Sequence, residues 1–151
     1  MTAAGRELTI TRAFDAPREL VFRAWTDPEH LALWWGPAGA TTMSAESEPR
    51  VGGRWRIRIG HPELDADQWA GGVYLELRAP ERLVFTFAWE RPPGTRVDES
   101  VITIGLADQD GKTVMTFHQA AFGTAEERDA HADGWSGGFD NLAAHLATMG
   151  T

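Results

Sequence analysis

Residues 7–13 set Leu8 and Ile10 against Thr9 and Thr11, the alternation of a half-buried strand. Asp15-Ala16-Pro17 then starts a helix, with Pro17 near its first position and Asp15 or Ala16 as its cap. Leu20, Val21, Ala24 and Trp25 follow at helical spacing. Thr26-Asp27-Pro28 stops this helix and starts a second, capped by Asp27 and opened by Pro28. Leu31, Trp34 and Trp35 form its apolar stripe, and Gly36-Pro37 ends it.

From residue 38 to 121 the pattern is one of strands and turns. Thr41 to Ser47 is a strand, and Arg50-Val51-Gly52-Gly53 is turn chemistry. Trp55, Ile57 and Ile59 then alternate with Arg54, Arg56 and Arg58, so one face of that strand is apolar and the other basic. Residues 61–68 are a polar loop. Trp69 to Arg78 is a strand in which Gly71-Gly72 marks a bulge or bend. After a turn at Ala79–Arg82, one face carries Leu83, Phe85, Phe87 and Trp89. Pro92-Pro93-Gly94 turns again. Glu99–Leu106 and Thr113–Ala121 are two further strands joined by the hairpin signal Asp110-Gly111. No crossover helix interrupts this run, so the sheet is expected to be antiparallel.

The last segment is helical. Thr124-Ala125-Glu126-Glu127 matches a capping box, with Thr124 as the cap. Ala132, Trp135, Phe139, Leu142, Leu146 and Met149 recur at threes and fours, and Gly150 ends the helix. Residues 125–148 would span roughly 36 Å. Gly134, Gly137 and Gly138 cost about 1 kcal/mol each against Ala inside a helix. Close approach to the sheet, or to a ligand, would account for them. The order is strand, two short helices, six strands and a long helix. Only the last helix is large enough to cover the concave face of such a sheet, which makes the fold α+β.

The chain's 151 residues suit one domain with a proper core. No apolar run approaches the roughly 18 residues of a membrane span, and the first residues lack an apolar signal core. A cytoplasmic protein is expected. With no cysteine, disulfides and thiolate chemistry are excluded. A net charge of -8 argues against nucleic acid and against anionic membrane surfaces as partners. Seven Trp against one Tyr is a marked excess, and large indoles line cores and ligand pockets alike.

Five stretches, FDAPRELVFRAWTDPEHLALWWGP (14–37), RVGGRWRIRI (50–59), GGVYLELRAPERLVFTF (71–87), TVMTFHQAAF (113–122) and GWSGGFDNLAAHL (134–146), together resemble the C-terminal-like family of activators of the heat-shock-protein-90 ATPase. That family lies within the START-like, birch-pollen-allergen-like (SRPBCC) superfamily. The resemblance implies one START-like domain over residues 1–151. It implies the helix-grip fold: a curved antiparallel sheet of about seven strands wrapped around the C-terminal helix, with two short helices after the first strand. It also implies a cavity between sheet and helix. The eukaryotic activators have a separate N-terminal domain, with the principal chaperone contact, that lacks a counterpart in these 151 residues. Chaperone interaction is therefore not expected.

Trp34, Trp35, Trp55, Trp69, Phe85, Phe87, Phe117, Trp135 and Phe139 are the candidate ligand-binding wall, with packed core as the alternative for each. Trp135 and Phe139 lead, and by the resemblance Trp34 and Trp35 stand at the cavity entrance. The histidines His30, His61, His118, His131 and His145 include no i, i+4 pair and no HExxH motif, so no metal site is expected. His118 could face His131 or His145. Glu76 is a buried acid if its face is concave and ordinary surface if convex. Glu76, His118 and His131 are thus the candidates for acid–base work. The arginine ladder is read as a solvated outer face. The leading expectation is binding of a small hydrophobic or aromatic molecule, with no cofactor. The rivals are an enzyme (cyclase, dehydratase or hydrolase) acting on such a molecule, and a chaperone-interaction or stress-response module. Homodimerisation stays open.

Overall fold

The computed structural model describes residues 7–35, 41–60, 68–90, 95–120, 122 and 124–149. Its elements are β1 (Leu8–Phe14), α1 (Arg18–Thr26), α2 (Pro28–Trp34), β2 (Thr41–Ser47), β3 (Arg54–Gly60), β4 (Gln68–Arg78), β5 (Arg82–Glu90), β6 (Arg96–Gln109), β7 (Lys112–Ala120) and α3 (Ala125–Met149). The seven strands form one sheet in the order β1-β7-β6-β5-β4-β3-β2. Every neighbouring pair is antiparallel. The sheet wraps α3, as the helix-grip expectation required.

Local chemistry explains most boundaries. Asp110 (φ 55°) and Gly111 (φ 85°) close the β6–β7 hairpin, two adjacent left-handed residues of the kind a tight hairpin with right-twisted strands demands. Asp27 Oδ1 accepts the Glu29 N–H at 2.9 Å and caps α2. Thr124 Oγ1 accepts the Glu127 N–H at 3.1 Å, the expected cap of α3. α1 starts one residue later than expected. Pro17 itself is the cap residue, extended at φ −69° and ψ 154°, with no side-chain cap. The turns expected at Gly36-Pro37 and at Pro92-Pro93-Gly94, residues 61–67 of the loop expected at 61–68, and the helix stop at Gly150 lie outside the described residues, while Gln68 already belongs to β4.

Gly72 marks a tight spot. A Cβ there would sit 1.9 Å from the Thr86 carbonyl oxygen. With only hydrogen at Gly72, that carbonyl can accept the Trp55 indole N–H at 3.0 Å. Thr86 Oγ1 takes the Val73 N–H at 2.8 Å where direct pairing with β5 is interrupted. The expectation for Gly134 fails. Its Cβ would meet nothing within 4 Å, so close approach does not explain that residue.

The core lies between the concave face and the three helices. Val21 and Trp25 of α1, Leu31 and Trp34 of α2, and Phe139 and Leu142 of α3 pack against Ile57, Phe85, Ile104, Met115 and Phe117 of the sheet. The strand ends Gly60, Glu90 and Ala120 and the strand starts Leu8, Thr41, Gln68 and Arg96 gather at one end of the sheet.

Candidate functional site

Eight of the nine predicted wall residues converge on the concave side. Trp34 and Phe117 are at most 1% exposed, and Trp35, Trp55, Phe85, Phe87, Trp135 and Phe139 are also buried. Trp35 touches Trp55 at 5.3 Å and Trp135 at 5.0 Å between ring centroids. Phe117 meets Trp135 at 4.8 Å and Phe139 at 5.3 Å. Trp34 and Trp35 are thus buried within these contacts. Trp34 Nε1 donates to the Ala24 carbonyl at 2.8 Å, which fixes α2 on α1.

The ninth residue, Trp69, is corrected. It pairs with Arg58, on the basic face of β3, and the Arg56 guanidinium lies 4.0 Å from its ring centroid. Arg56 also donates to both Glu90 carboxylate oxygens, at 2.9 and 2.8 Å. Trp69 therefore supports a stacked ion pair outside the sheet. The arginine ladder is indeed the outer face.

Two acid–base candidates are corrected likewise. Glu76 follows a register shift in β4 and pairs with Val84, on the face opposite Leu83 and Phe85. It ion-pairs with Arg82 at 3.1 Å and Arg78 at 3.7 Å on the surface. His118 is next to inward Phe117 and so faces out, where its Nε2 lies 3.0 Å from Glu7. It cannot meet His131 or His145 through the sheet. His61 lies outside the described residues.

His131 alone of the three candidates stands against the aromatic lining. Its ring centroid is 4.9 Å from Phe122, 5.5 Å from Phe87 and 5.9 Å from Trp89. The Trp89 indole N–H donates to His131 Nε2 at 3.2 Å. An indole nitrogen can only donate, so Nε2 is held unprotonated by this contact. Trp89 and His131 are half-buried, near the end of the sheet where β5 finishes and α3 begins. The aromatic contacts therefore run from a buried floor at Phe117 and Phe139 to a half-buried rim at Trp89 and His131.

Sequence reasoning missed three polar features. Gln119 is fully buried, accepts the Trp135 N–H at 2.8 Å and donates to Ser100 Oγ at 2.8 Å. Its parity with inward Met115 and Phe117 was the available signal. Tyr74 donates its hydroxyl to Ser47 Oγ at 2.7 Å, and Ser47 donates to the Thr26 carbonyl at 2.8 Å. Burial pushes the Tyr74 phenol above its usual value. His30 Nδ1 and His145 Nε2 lie 2.9 Å apart and join α2 to α3. Burial, then the neighbouring His30, lowers His145 below 6.5. No sequence motif marks a pair 115 residues apart.

A separate open groove of about 340 Å³ lies between α1 and the β4–β5 turn, lined by Glu19, Phe22, Arg23, Thr26, Ala79 and Pro80. No group of three or more metal-ligating side chains occurs among the described residues, and no helix there is long and apolar enough to cross a membrane.

Solved structures share this architecture. A Chromobacterium violaceum protein superposes with a TM-score of 0.84 at 28% identity, covering 93% of this chain and 96% of its own. The AHSA1 protein of Silicibacter pomeroyi gives 0.83 at 25% identity, covering 95% and 99%. A Nitrosomonas europaea protein at 22% identity and TM-score 0.81, covering 99% of both chains, shows the shared fold. No curated protein matches the sequence. The sequence profile described as activator of Hsp90 ATPase homolog 1-like protein matches residues 15–147, nearly the whole length, and the chain belongs to that family.

Proposed function

We propose that the protein binds a small, largely aromatic or apolar molecule between its sheet and α3, entering beside Trp89 and His131. The observation that carries this is the continuity of the aromatic lining from the buried floor to that half-buried rim. A side chain such as Trp89, apolar in body and satisfied at its N–H, offers a face for stacking without a desolvation cost. The buried polar side chains among the described residues are Thr26, Ser100, Thr113 and Gln119, none of them charged, which suits a neutral ligand.

A panel of lipids, flavonoid-like aromatics and polyketides, screened by thermal shift and native mass spectrometry, tests the proposal. A binder should raise the Tm and add its mass at one copy per chain, and Trp89→Ala should weaken it. A panel in which nothing binds would remove the proposal. The enzymatic alternative rests on His131. It predicts that a bound compound is converted, visible as a product mass that His131→Gln abolishes.

A further inference from the structure

Hydrogen bonding sets one indole apart. Trp34, Trp55, Trp89 and Trp135 donate their N–H groups to Ala24 O, Thr86 O, His131 Nε2 and Gln119 Oε1 at 2.8, 3.0, 3.2 and 2.8 Å. Trp25 does not. Its Nε1 is the one buried side-chain nitrogen or oxygen without a hydrogen-bond partner among the described residues, on a side chain 2% exposed. An indole nitrogen has no acceptor role to fall back on. A buried donor left unmade loses its hydration with nothing in return, and native proteins keep few of them.

Its position is central. Trp25 projects from α1 to where all layers meet, with Phe85 and Phe117 of the sheet, Trp34 and Trp35 at α2 and Trp135 and Phe139 of α3 between 4.7 and 6.3 Å from its ring centroid. We infer that the Trp25 N–H is the polar anchor of the interior site, donating to an oxygen of the bound molecule; this rests on the binding proposed above. The lining also defines that oxygen. No charged side chain is buried among the described residues, so a carboxylate or phosphate would enter without a counter-ion. The ligand class is therefore an aromatic molecule with a neutral acceptor: a ketone, aldehyde, ester or ether.

Three probes of one skeleton test this: 2-acetylnaphthalene, 2-ethylnaphthalene and 2-naphthoate, titrated into the full chain and followed by tryptophan fluorescence and native mass spectrometry. The ketone should bind roughly tenfold tighter than the hydrocarbon, the return on one hydrogen bond to an otherwise orphaned donor. The carboxylate should bind more weakly than the ketone. Replacing Trp25 with benzothienylalanine, in which sulfur stands for N–H at constant shape, should erase the ketone's advantage and leave 2-ethylnaphthalene within about twofold, a change too small to signal a lost hydrogen bond. The ligand-free Tm should not fall, because nothing is hydrogen-bonded to that nitrogen. Trp25→Phe should erase the advantage too. If the hydrocarbon binds as well as the ketone, the anchor is wrong while binding stands. A ketone advantage that survives both replacements, or a drop in ligand-free Tm with benzothienylalanine, overturns the anchor as well, the latter by showing that a neighbouring ring face already satisfies the N–H. If no probe binds and the wider panel is also silent, binding itself falls and the anchor with it.

Discussion

Replacing Gln119 with Leu keeps the volume of the buried side chain and removes both of its hydrogen bonds. The Trp135 N–H loses its acceptor and Ser100 Oγ loses its donor, each in a place closed to water. An orphaned buried partner costs about 1–3 kcal/mol. The Ser100 hydroxyl can rotate, whereas the indole cannot, so the total should be roughly 2–4 kcal/mol, most of it from Trp135. For a domain of this size each kcal/mol moves the Tm by about 2–4 °C, so the midpoint should fall by roughly 5–15 °C. Urea denaturation followed by tryptophan fluorescence gives the free energy directly. Trp135→Phe separates this polar contribution from packing. It strands Gln119 Oε1 and also shrinks the ring, so it is destabilising alone. In the double variant neither partner of the Trp135–Gln119 bond remains, and its cost should fall short of the summed single costs by about 1 kcal/mol. Strict additivity, or a Gln119→Leu protein as stable as the parent, would mean that this contact does not fix α3 against β7.

Three other outcomes follow from the geometry. Gly72→Ala drives a Cβ into the Thr86 carbonyl and should destabilise by about 3 kcal/mol or more, read as a lower urea midpoint or loss of soluble protein; an unaffected variant would show that β4 and β5 can part there. Gly134→Ala fills open space inside α3 and should raise stability by up to about 1 kcal/mol, a gain of a few degrees in a melting scan; a loss would mean that the position is needed empty. His145 has a folded value below 6.5, so the unfolded chain binds the extra proton and stability must decline as pH falls through that value toward the folded one. Melting scans from pH 7.5 to 5 should show His145→Gln losing less over this window than the parent, and parallel curves would refute the assignment.

What the sequence disclosed, and what it hid, depends on how far apart the deciding residues lie. The Asp110-Gly111 hairpin, the Asp27 and Thr124 caps and the arginine ladder of β3 are decided by residues within a few positions of one another, and all stand as read. Trp69 misled because bulk was taken for burial. Its parity runs with Gly71, while Ala70 and Tyr74 turn inward, and a flat ring beneath Arg56 needs no core. The facing of Glu76 depends on a register shift between Tyr74 and Glu76 that no local signal announces. Trp25 was legible as part of a helical stripe. Its unpaired N–H was not, because that requires knowing that every surrounding ring leaves it without an acceptor.

These placements bear on catalysis as well as binding. The fold sends Glu76, His118 and the β3 arginines outward, where water solvates them and neighbouring charges pair with them. Facing inward among the described residues are Tyr74, whose hydroxyl is committed to Ser47, and His131, whose Nε2 is committed to Trp89. General acid–base chemistry at His131 would first require that imidazole to give up its indole donor. Binding requires none of this. It needs aromatic faces and, under the inference above, one unsatisfied donor, and the rings around Trp25 with its unpaired N–H offer both.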